Sequence, residues 1–368
     1  MKNTFWPILA IILLTASCRK EAENVKNKAT SLKYLGEVAL SHGDLLLSNR
    51  GALNKVVGQD SLLVYDQNSR QLVLIDLKKK IPIHTIAVTL DGPDFFDLPF
   101  LDATIRNDSI FILSQNYFSI YDLEGKIKLR FDKDQLNNSN SLFHISDFQV
   151  MEQGDILFSK VPLEVMVDNF TSKEKPNLFF TIDTPTGSIS EKPVFSPKES
   201  LIDDKDRGYY NDLAFHYMTV SNDSIIYSFP FMSEIFIYNL QTNDQTKIEV
   251  PSKFAENLRK PITVADNNDT KKWADYIYSS SKFSAIERDS KTGFFLRVST
   301  QYKKISDGLN QSSKYITLID NKLRKIEEIE LADKVFPNPI VSNGVVYLLK
   351  VDQPVEDAYT FVAYEIVK

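Results

Sequence analysis

The densest group of side chains that could bind a ligand lies between residues 206 and 217. Arg207 offers a guanidinium, Tyr209 and Tyr210 offer aromatic faces, and Asn211 and His216 add polar groups. Aromatic and arginine side chains are enriched where proteins contact peptides and sugars, so this segment is a candidate ligand-binding site. The alternative is that the end of the segment begins a strand, in which His216 points outward or lines a channel.

Two further candidates, Trp273 and Tyr276, belong to the long segment 251–282. Asp269 is placed to cap a helix in which Trp273, Tyr276 and Ile277 share one face at helical spacing. A second cap is predicted at Ser252, ahead of a helix over 253–260. These aromatic side chains either bind a ligand or pack the helix against the body of the protein.

Asp91 and Asp94 flank a Gly-Pro pair and complete the candidate set. Gly-Pro most simply predicts a tight turn, so a ligand role for these carboxylates is the minor alternative.

Standard catalytic motifs are absent from the sequence. There is no phosphate-binding loop, zinc-protease His-Glu-x-x-His, nucleophile elbow or dinucleotide fingerprint. The four histidines have no metal-ligand spacing to one another. The formal net charge is −6, and no basic stripe occurs in the linear sequence, which argues against nucleic acid as a partner.

Cys18 is the only cysteine, and it closes an N-terminal segment with a basic start, a short apolar run and the small residues Thr15-Ala16-Ser17. This pattern resembles the lipobox of bacterial lipoproteins, with Leu14 one position early. The resemblance implies that residues 1–17 are a signal peptide and that acyl chains on Cys18 attach the protein to a membrane. Residues 18–32 read as a polar, flexible tether. Without a basic stripe, the sequence predicts that the lipid is the sole link to the membrane.

From residue 33 onward, pairs of apolar strands recur at intervals of about 50 residues, as in propeller blades. Six pairs are visible, beginning near residues 61, 109, 156, 224, 294 and 345. Each pair has room for a strand before it and, except in the last, a strand after it. The sequence therefore predicts an all-β fold, a six-bladed β-propeller with four-stranded antiparallel blades spanning residues 33–368. A seven-bladed ring lacks a seventh pair, and a β-sandwich does not explain six similar copies.

The last copy runs out after its third strand, while residues 33–40 form an orphan strand before the first copy. Because an open sheet edge exposes unpaired backbone groups, we predict that the N-terminal strand closes the ring as the outermost strand of the last blade. The long connections (161–176, 196–215, 251–282 and 301–313) are then expected on one face, where binding sites tend to be built.

The strand openings of the Asn107-Asp108-Ser109 type, the lipobox and Asp91-Gly92-Pro93-Asp94 are similar to those of a particular group of proteins. The chain resembles uncharacterised Bacteroidota lipoproteins of the six-bladed TolB-like propeller superfamily. The resemblance implies a propeller in the bacterial cell envelope, as an outer-membrane lipoprotein on either the periplasmic or the outer surface. It implies no activity.

These observations favour a lipid-anchored binding or scaffold module with a protein, peptide or glycan partner. The alternative is a metal-dependent hydrolase or lyase with a site in the central channel, since some six-bladed propellers are calcium-dependent lactonases. A purely structural envelope protein is the third hypothesis. No cofactor is predicted, and a calcium ion in the channel stays an open alternative. Three or more convergent carboxylates there would favour the enzyme, whereas a lysine-filled channel would count against it.

Overall fold

The computed structural model describes residues 30–41, 53–58, 60–66, 69–136, 143–162, 177–195, 208–209, 215–279, 281–306, 309–332, 334–354 and 358–368. Cys18, the predicted signal peptide and most of the predicted tether lie outside these residues, so those assignments stay predictions.

The described elements are almost all strands. In chain order they are β1 (Ser31–Ser41), β2 (Leu53–Val57), β3 (Ser61–Asp66), β4 (Gln71–Asp76), β5 (Ile81–Ala87), β6 (Phe100–Arg106), β7 (Ser109–Ser114), β8 (Tyr117–Asp122), β9 (Ile127–Asp132), β10 (Phe143–Val150), β11 (Ile156–Pro162), β12 (Asn177–Ile182), β13 (Ile189–Phe195), β14 (Gly208–Tyr209), β15 (Tyr217–Ser221), β16 (Ser224–Ser228), β17 (Glu234–Asn239), β18 (Gln245–Glu249), β19 (Ile262–Thr263), β20 (Lys282–Phe283), β21 (Glu287–Arg288), β22 (Phe295–Ser306), β23 (Leu309–Ile319), β24 (Lys325–Glu330), β25 (Ile340–Ser342), β26 (Val345–Leu349) and β27 (Ala358–Val367). The described helices are α1 (Lys133–Leu136), α2 (Val264–Asn267) and α3 (Thr270–Tyr278).

Six antiparallel sheets form the blades of a propeller, as the sequence predicts. Blades 1 to 4 are β2–β5, β6–β9, β10–β13 and β15–β18; blade 5 is β20 and β21 followed by β22–β24. Blade 6 has the order β25-β26-β27-β1, so the first strand of the domain is the outermost strand of the last blade. All six predicted strand pairs are the two middle strands of their blades.

Burial explains why the middle strands are almost continuously apolar. In β3 every residue after the first is buried, because neighbouring blades cover both faces of the sheet. The outermost strand β5, in contrast, is mostly exposed. The apolar clusters therefore lie between adjacent blades, where each blade packs face to face on the next.

The innermost strands of the six blades surround a central channel. Each contacts the innermost strand of the next blade, in the cyclic order β2, β6, β10, β15, β21, β25 and back to β2. Of the helices that the structure describes, none is long and apolar enough to cross a membrane.

One predicted long loop is wrong. The segment 301–313 is a continuation of β22 and β23, which pair from Phe295 and Ile319 out to Ser306 and Leu309. The described pairing of this hairpin is thus longer than the pairing described between the middle strands of the other blades, and its far end lies on the side of the long connections.

Candidate functional site

The two ends of the propeller are built differently. On one end, which we call the short-turn face, described connections of two to six residues join the first strand of a blade to the second and the third to the fourth. The opposite end, which we call the long-loop face, carries the connections between blades and the turns between second and third strands. The segment 250–281, between blades 4 and 5, is the longest described connection there.

The first part of this segment covers the turn 229–233 of blade 4. Backbone hydrogen bonds run from Ser233 to the Asn257 carbonyl (2.8 Å) and from Arg259 to the Phe231 carbonyl (2.9 Å). The predicted helix over 253–260 is absent. Ser252 does cap the turn, since its hydroxyl accepts from the Ala255 amide at 2.9 Å, but backbone groups that a helix would use are bonded to the blade instead.

Two buried charged side chains hold this segment and the turn beneath it. Arg297 on β22 is 2% exposed and donates to the carbonyls of Phe229, Met232 and Ser233 at 2.8–3.0 Å. Burial lowers the pKa of Arg297 to about 9, so the guanidinium stays charged at neutral pH. Phe283 lies under it, with its ring centre 4.2 Å from the guanidinium carbon.

Glu328 on β24 is the second of these side chains. Its carboxylate accepts from the Ser252 hydroxyl (2.6 Å), the Lys253 amide (2.8 Å) and the Lys325 ammonium (2.9 Å). Burial alone would raise the pKa of Glu328, but these hydrogen bonds outweigh it and the pKa is lowered. The carboxylate thus fixes the start of the segment to blade 5.

The predicted helix at the end of the segment is α3. The Asp269 side chain accepts from the Lys271 and Lys272 amides, which is the N-cap that the sequence indicates. Tyr276 is buried, and its hydroxyl donates to the Lys260 carbonyl at 3.1 Å. Trp273 is half-buried against the core of blade 4. Of the two aromatic candidates, Tyr276 therefore packs inward and Trp273 keeps an exposed edge.

The structure brings β14 to the 251–282 segment, since Tyr209 pairs with Ile262 of β19. The two segments that the sequence indicates as separate candidate sites, 206–217 and 251–282, are therefore neighbours at this point. Arg207, Tyr210 and Asn211 lie outside the described residues, as does the side chain of Tyr209.

His216 belongs to the interior. It is 3% exposed, its Nε2 lies 2.8 Å from the Ser159 hydroxyl, and its ring meets Phe179 edge-on at 5.1 Å. Burial lowers the pKa of His216 to about 3, so the ring is neutral. This corresponds to the alternative in which the residue lines the inner wall.

Asp91 and Asp94 lie in the connection from blade 1 to blade 2. Asp94 accepts from the Ile127 amide at 3.0 Å, so part of its carboxylate holds the turn in place. Gly92 has a φ of +81°, a backbone conformation that glycine adopts without strain. Asp91 is exposed in the same connection.

A group of charged side chains that sequence reasoning missed lines the central channel. The Lys55 ammonium lies 2.7 Å from the Asp102 carboxylate and 4.0 Å from that of Asp147. These three residues and Glu287 line one cavity of about 710 Å³, together with residues of all six innermost strands or the connections next to them. We call Lys55, Asp102, Asp147 and Glu287 the channel cluster.

Each carboxylate of the channel cluster follows an irregularity in an innermost strand. One extra residue directly precedes Asp102 in β6, and another directly precedes Asp147 in β10. In blade 5 the innermost strand is interrupted, and β21 begins at Glu287. Such bulges redirect side chains, and they are common beside functional sites. In the sequence, the signal for them is an acidic residue inside an inner strand in place of strict apolar alternation.

Three members of the channel cluster, Lys55, Asp147 and Glu287, have raised pKa values. Burial raises the pKa of Asp147 well above its usual value, and the adjacent Asp102 adds to the shift. Burial also raises the pKa of Glu287 to about 7, although Lys55 acts in the opposite direction. Lys55 itself has a raised pKa because the carboxylate charges outweigh its burial. At neutral pH the cavity can therefore donate hydrogen bonds from carboxyl groups as well as accept them.

The exposed large apolar side chains of the described residues are unevenly distributed. Six belong to connections of the long-loop face: Leu90, Phe254, Leu258, Tyr278, Phe336 and Val351. The other five, Tyr34, Leu35, Ile81, Ile83 and Ile326, are on outermost strands. Within the described ranges, the short-turn face has none. Tyr278 and Leu258 are the most exposed of the first group, at 64% and 50%.

A family model described as a domain of unknown function, DUF4221, matches residues 29–330. The chain belongs to the DUF4221 family. A solved DUF4221 structure from Bacteroides vulgatus is similar over 93% of this chain and all of that one, with a TM-score of 0.70 at 12% identity. A Bacteroides fragilis protein that carries the description of an exported protein is similar over 93% and 97% of the two chains, with a TM-score of 0.55 at 14% identity. Comparison with curated proteins found no match.

Membership of the DUF4221 family confirms the recognition made from the sequence and establishes no ligand. The arrangement of the acidic side chains tests the alternative of a metal-dependent enzyme. In the parts of the chain that are described, no three His, Cys, Asp or Glu side chains are arranged to hold a metal ion. The carboxylates of the channel cluster converge on the Lys55 ammonium instead.

Proposed function

We propose that this DUF4221 protein is a lipid-anchored binding module of the bacterial cell envelope, and that its long-loop face binds a protein, peptide or glycan. The single observation that carries the proposal is the concentration of exposed aromatic and aliphatic side chains on that face. Large apolar side chains exposed together on one end of a protein often mark an interaction site. The signal-like segment ending in Cys18 supports the anchor and the location.

The central channel can add polar recognition to this face, because its cavity is lined by Phe215, Phe336 and Asn338 of the long-loop connections as well as by the channel cluster. The cluster has one cationic and three carboxyl groups inside a cavity, and Asp147 and Glu287 have raised pKa values. A partner with hydroxyl or amino groups can exchange hydrogen bonds with such carboxyls. The apolar rim then supplies contact area, and the cavity supplies orientation.

A metal-dependent hydrolase or lyase stays the alternative, because three carboxylates do face one cavity. Lys55 stands against it, since its ammonium occupies the position beside Asp102 that a cation would take. Thermal unfolding with and without calcium discriminates between the two. A calcium-dependent rise in Tm that disappears in Asp102→Asn and Asp147→Asn variants would make the enzyme the better account.

Crosslinking of the full-length lipoprotein in its own cells tests the binding proposal. We expect adducts through Lys253, Lys260, Lys271 or Lys272, with one recurring partner identified by mass spectrometry. A triple variant, F254S/L258S/Y278S, should lose the adduct. The matched control, I81S/I83S/I326S, changes three equally apolar exposed residues on outermost strands and should retain it. Equal adduct from both variants would overturn the proposal.

A further inference from the structure

The chain enters the propeller on the short-turn face. Ser31 at the start of β1 pairs with Val367 at the end of β27. Because β27 is a third strand, it runs from the long-loop face toward the short-turn face, and the antiparallel β1 begins where β27 ends. Cys18 lies twelve residues before Thr30, a span of at most about 40 Å when fully extended.

Charged side chains divide this face into two halves. The short turns of blades 5, 6 and 1 contribute six basic residues, and Lys368 directly follows β27 on the same face; we call these seven, Lys78 to Lys80, Lys291, Lys322, Arg324 and Lys368, the basic sector. The same turns contribute three carboxylates, and Asp76 at the end of β4 adds a fourth beside Lys79. The short turns of blades 2, 3 and 4 contribute one lysine, Lys126, and seven carboxylates. Because the protein is acidic overall, the half formed by blades 5, 6 and 1 is the exception.

The basic side chains are exposed, whereas the three carboxylates among them are occupied. Lys78, for example, is 70% exposed. Asp289 is buried and accepts from the Thr292 and Gly344 amides. Asp320 accepts from backbone amides of its own turn and pairs with Arg324. Asp60 contacts Lys78 and the Asn343 side chain. Lys78 and Arg324 are themselves partners in these ion pairs, but basic residues outnumber the carboxylates, so the net charge of the sector is positive.

The basic sector is continuous across its blades and reaches the point where the chain enters. The Lys78 ammonium contacts Asp60, Asp60 contacts Asn343, and the Lys291 ammonium lies 3.1 Å from the Asn343 carbonyl. Thr30 lines a surface cavity of about 790 Å³ together with Arg324 and Lys368, and also with the carboxylates Asp320 and Glu327. The first described residue of the tether side thus borders the basic sector.

We propose that the basic sector docks on an anionic lipid surface, which orients the propeller with its long-loop face away from the membrane. The inference rests on the lipid anchor of the proposed function. A tether of this length keeps the short-turn face near the bilayer, and clustered lysines and arginines beside a lipid anchor are attracted to anionic headgroups. This proposal differs from the prediction made from the linear sequence, that the lipid is the sole link, because the fold gathers basic turns that lie far apart in the chain.

Lysine footprinting of the purified full-length lipoprotein tests this directly. The protein is reconstituted in phosphatidylcholine vesicles with and without phosphatidylglycerol, treated with an amine acetylating reagent, and analysed by mass spectrometry. With phosphatidylglycerol, we expect Lys78 to Lys80, Lys291, Lys322 and Lys368 to react at least about fivefold more slowly. High salt should remove the protection, because it screens exposed charges. Lys126, Lys253 and Lys271 should react equally in both vesicles.

A matched pair of charge-reversal variants distinguishes an effect of the basic sector from an effect of the protein's net charge. The K78E/K79E/K80E variant should lose most of the lipid-dependent protection at Lys291 and Lys368, whereas K126E/K253E/K271E should retain it. Equal reactivity in both vesicles, or protection of the control lysines instead, would overturn the inference.

Flotation of the vesicles distinguishes failure of the anchor from failure of the docking surface. Flotation with neutral vesicles but no lysine protection overturns the inference and leaves the lipid anchor standing. Flotation with anionic vesicles alone, with the basic sector protected, supports docking and contradicts the anchor. A protein that floats with neither kind contradicts both.

Discussion

The two faces of the propeller are stabilised over different distances along the chain. On the short-turn face, five blades have a side chain at the end of the third strand, or directly after it, that accepts backbone amides two to four residues ahead. These residues are Asp76, Asp122, Asp183, Asn239 and Asp320. On the long-loop face, Glu328 reaches Ser252 across 76 residues and Arg297 reaches Phe229 across 68. The turns of the first face are closed mainly by local hydrogen bonds, with a few contacts between blades such as that of Asp289 with the Gly344 amide, whereas the segment that covers the second face is held by long-range contacts.

The largest effect is expected from removal of the Arg297 guanidinium. Arg297→Met leaves the carbonyls of Phe229, Met232 and Ser233 without their buried donor, so the free energy of unfolding should fall by about 3 kcal/mol. Urea unfolding measures the change. Arg324→Met removes an exposed arginine in an ion pair with Asp320 and should cost well under about 1 kcal/mol. Similar losses for both variants would mean that the two faces are not held differently.

Glu328→Gln should detach the start of the long segment at a cost of about 2 kcal/mol, because a neutral amide replaces a carboxylate with three donors. Hydrogen exchange should rise over 252–258 but not in β22. The folded-state pKa is lowered, so this stabilisation is present above the unfolded pKa near 4.5 and is lost as the pH falls below it. The exposed Glu330→Gln serves as the control; unchanged exchange over 252–258 in Glu328→Gln would contradict this role.

The channel cluster predicts the opposite pH dependence. Glu287 has a raised folded-state pKa of about 7, so its ionisation disfavours the folded state, and stability falls as the pH rises from about 4.5 to 7. Glu287→Gln should therefore stabilise the protein by about 1 kcal/mol at pH 8 and by much less at pH 5. The value at pH 8 is smaller than the pKa shift alone would give, because the carboxyl group faces a cavity in which solvent screens its charge. Urea unfolding at the two pH values checks this. A larger gain at pH 5 would contradict the assigned burial.

The smallest effect belongs to the short-turn face. Asp122→Ala removes the acceptor of the Glu124 and Lys126 amides and should cost about 1 kcal/mol. The expected increase in hydrogen exchange is confined to residues 123–127. Asp244→Ala, which changes an exposed carboxylate in the corresponding turn of blade 4, provides the comparison. Loss of structure on the long-loop face in Asp122→Ala would show that the two faces are coupled.

The difference between the faces also explains how much the sequence predicts. Asn107 and Asp108 adopt positive φ angles of 48° and 52° in a two-residue turn, and such turns are visible in the sequence because few residues favour that conformation. The same local logic locates the α3 cap at Asp269. The six strand pairs follow from apolar patterning, which is why the fold and the family could be recognised before any coordinates.

The candidate site depends on contacts that local sequence does not specify. Asp102 and Asp147 face the channel because of extra residues in β6 and β10, and a bulge is defined only by the register of the partner strand. Ser252 has the sequence of a helix cap, but the helix fails because the following backbone bonds to blade 4. The basic sector could not be predicted from the sequence either, because its members are up to 290 residues apart and only the fold brings them together.

Paired photo-crosslinking in living cells tests the central claim most directly. A photoreactive aromatic amino acid replaces Tyr278 on the long-loop face in one version of the full-length protein, and replaces the exposed Gln153 on the short-turn face in another. We expect a discrete protein or glycan adduct from position 278 and none of that mass from position 153. An adduct from position 153 alone, or equal yields from both positions, would contradict the assignment of the long-loop face as the binding surface.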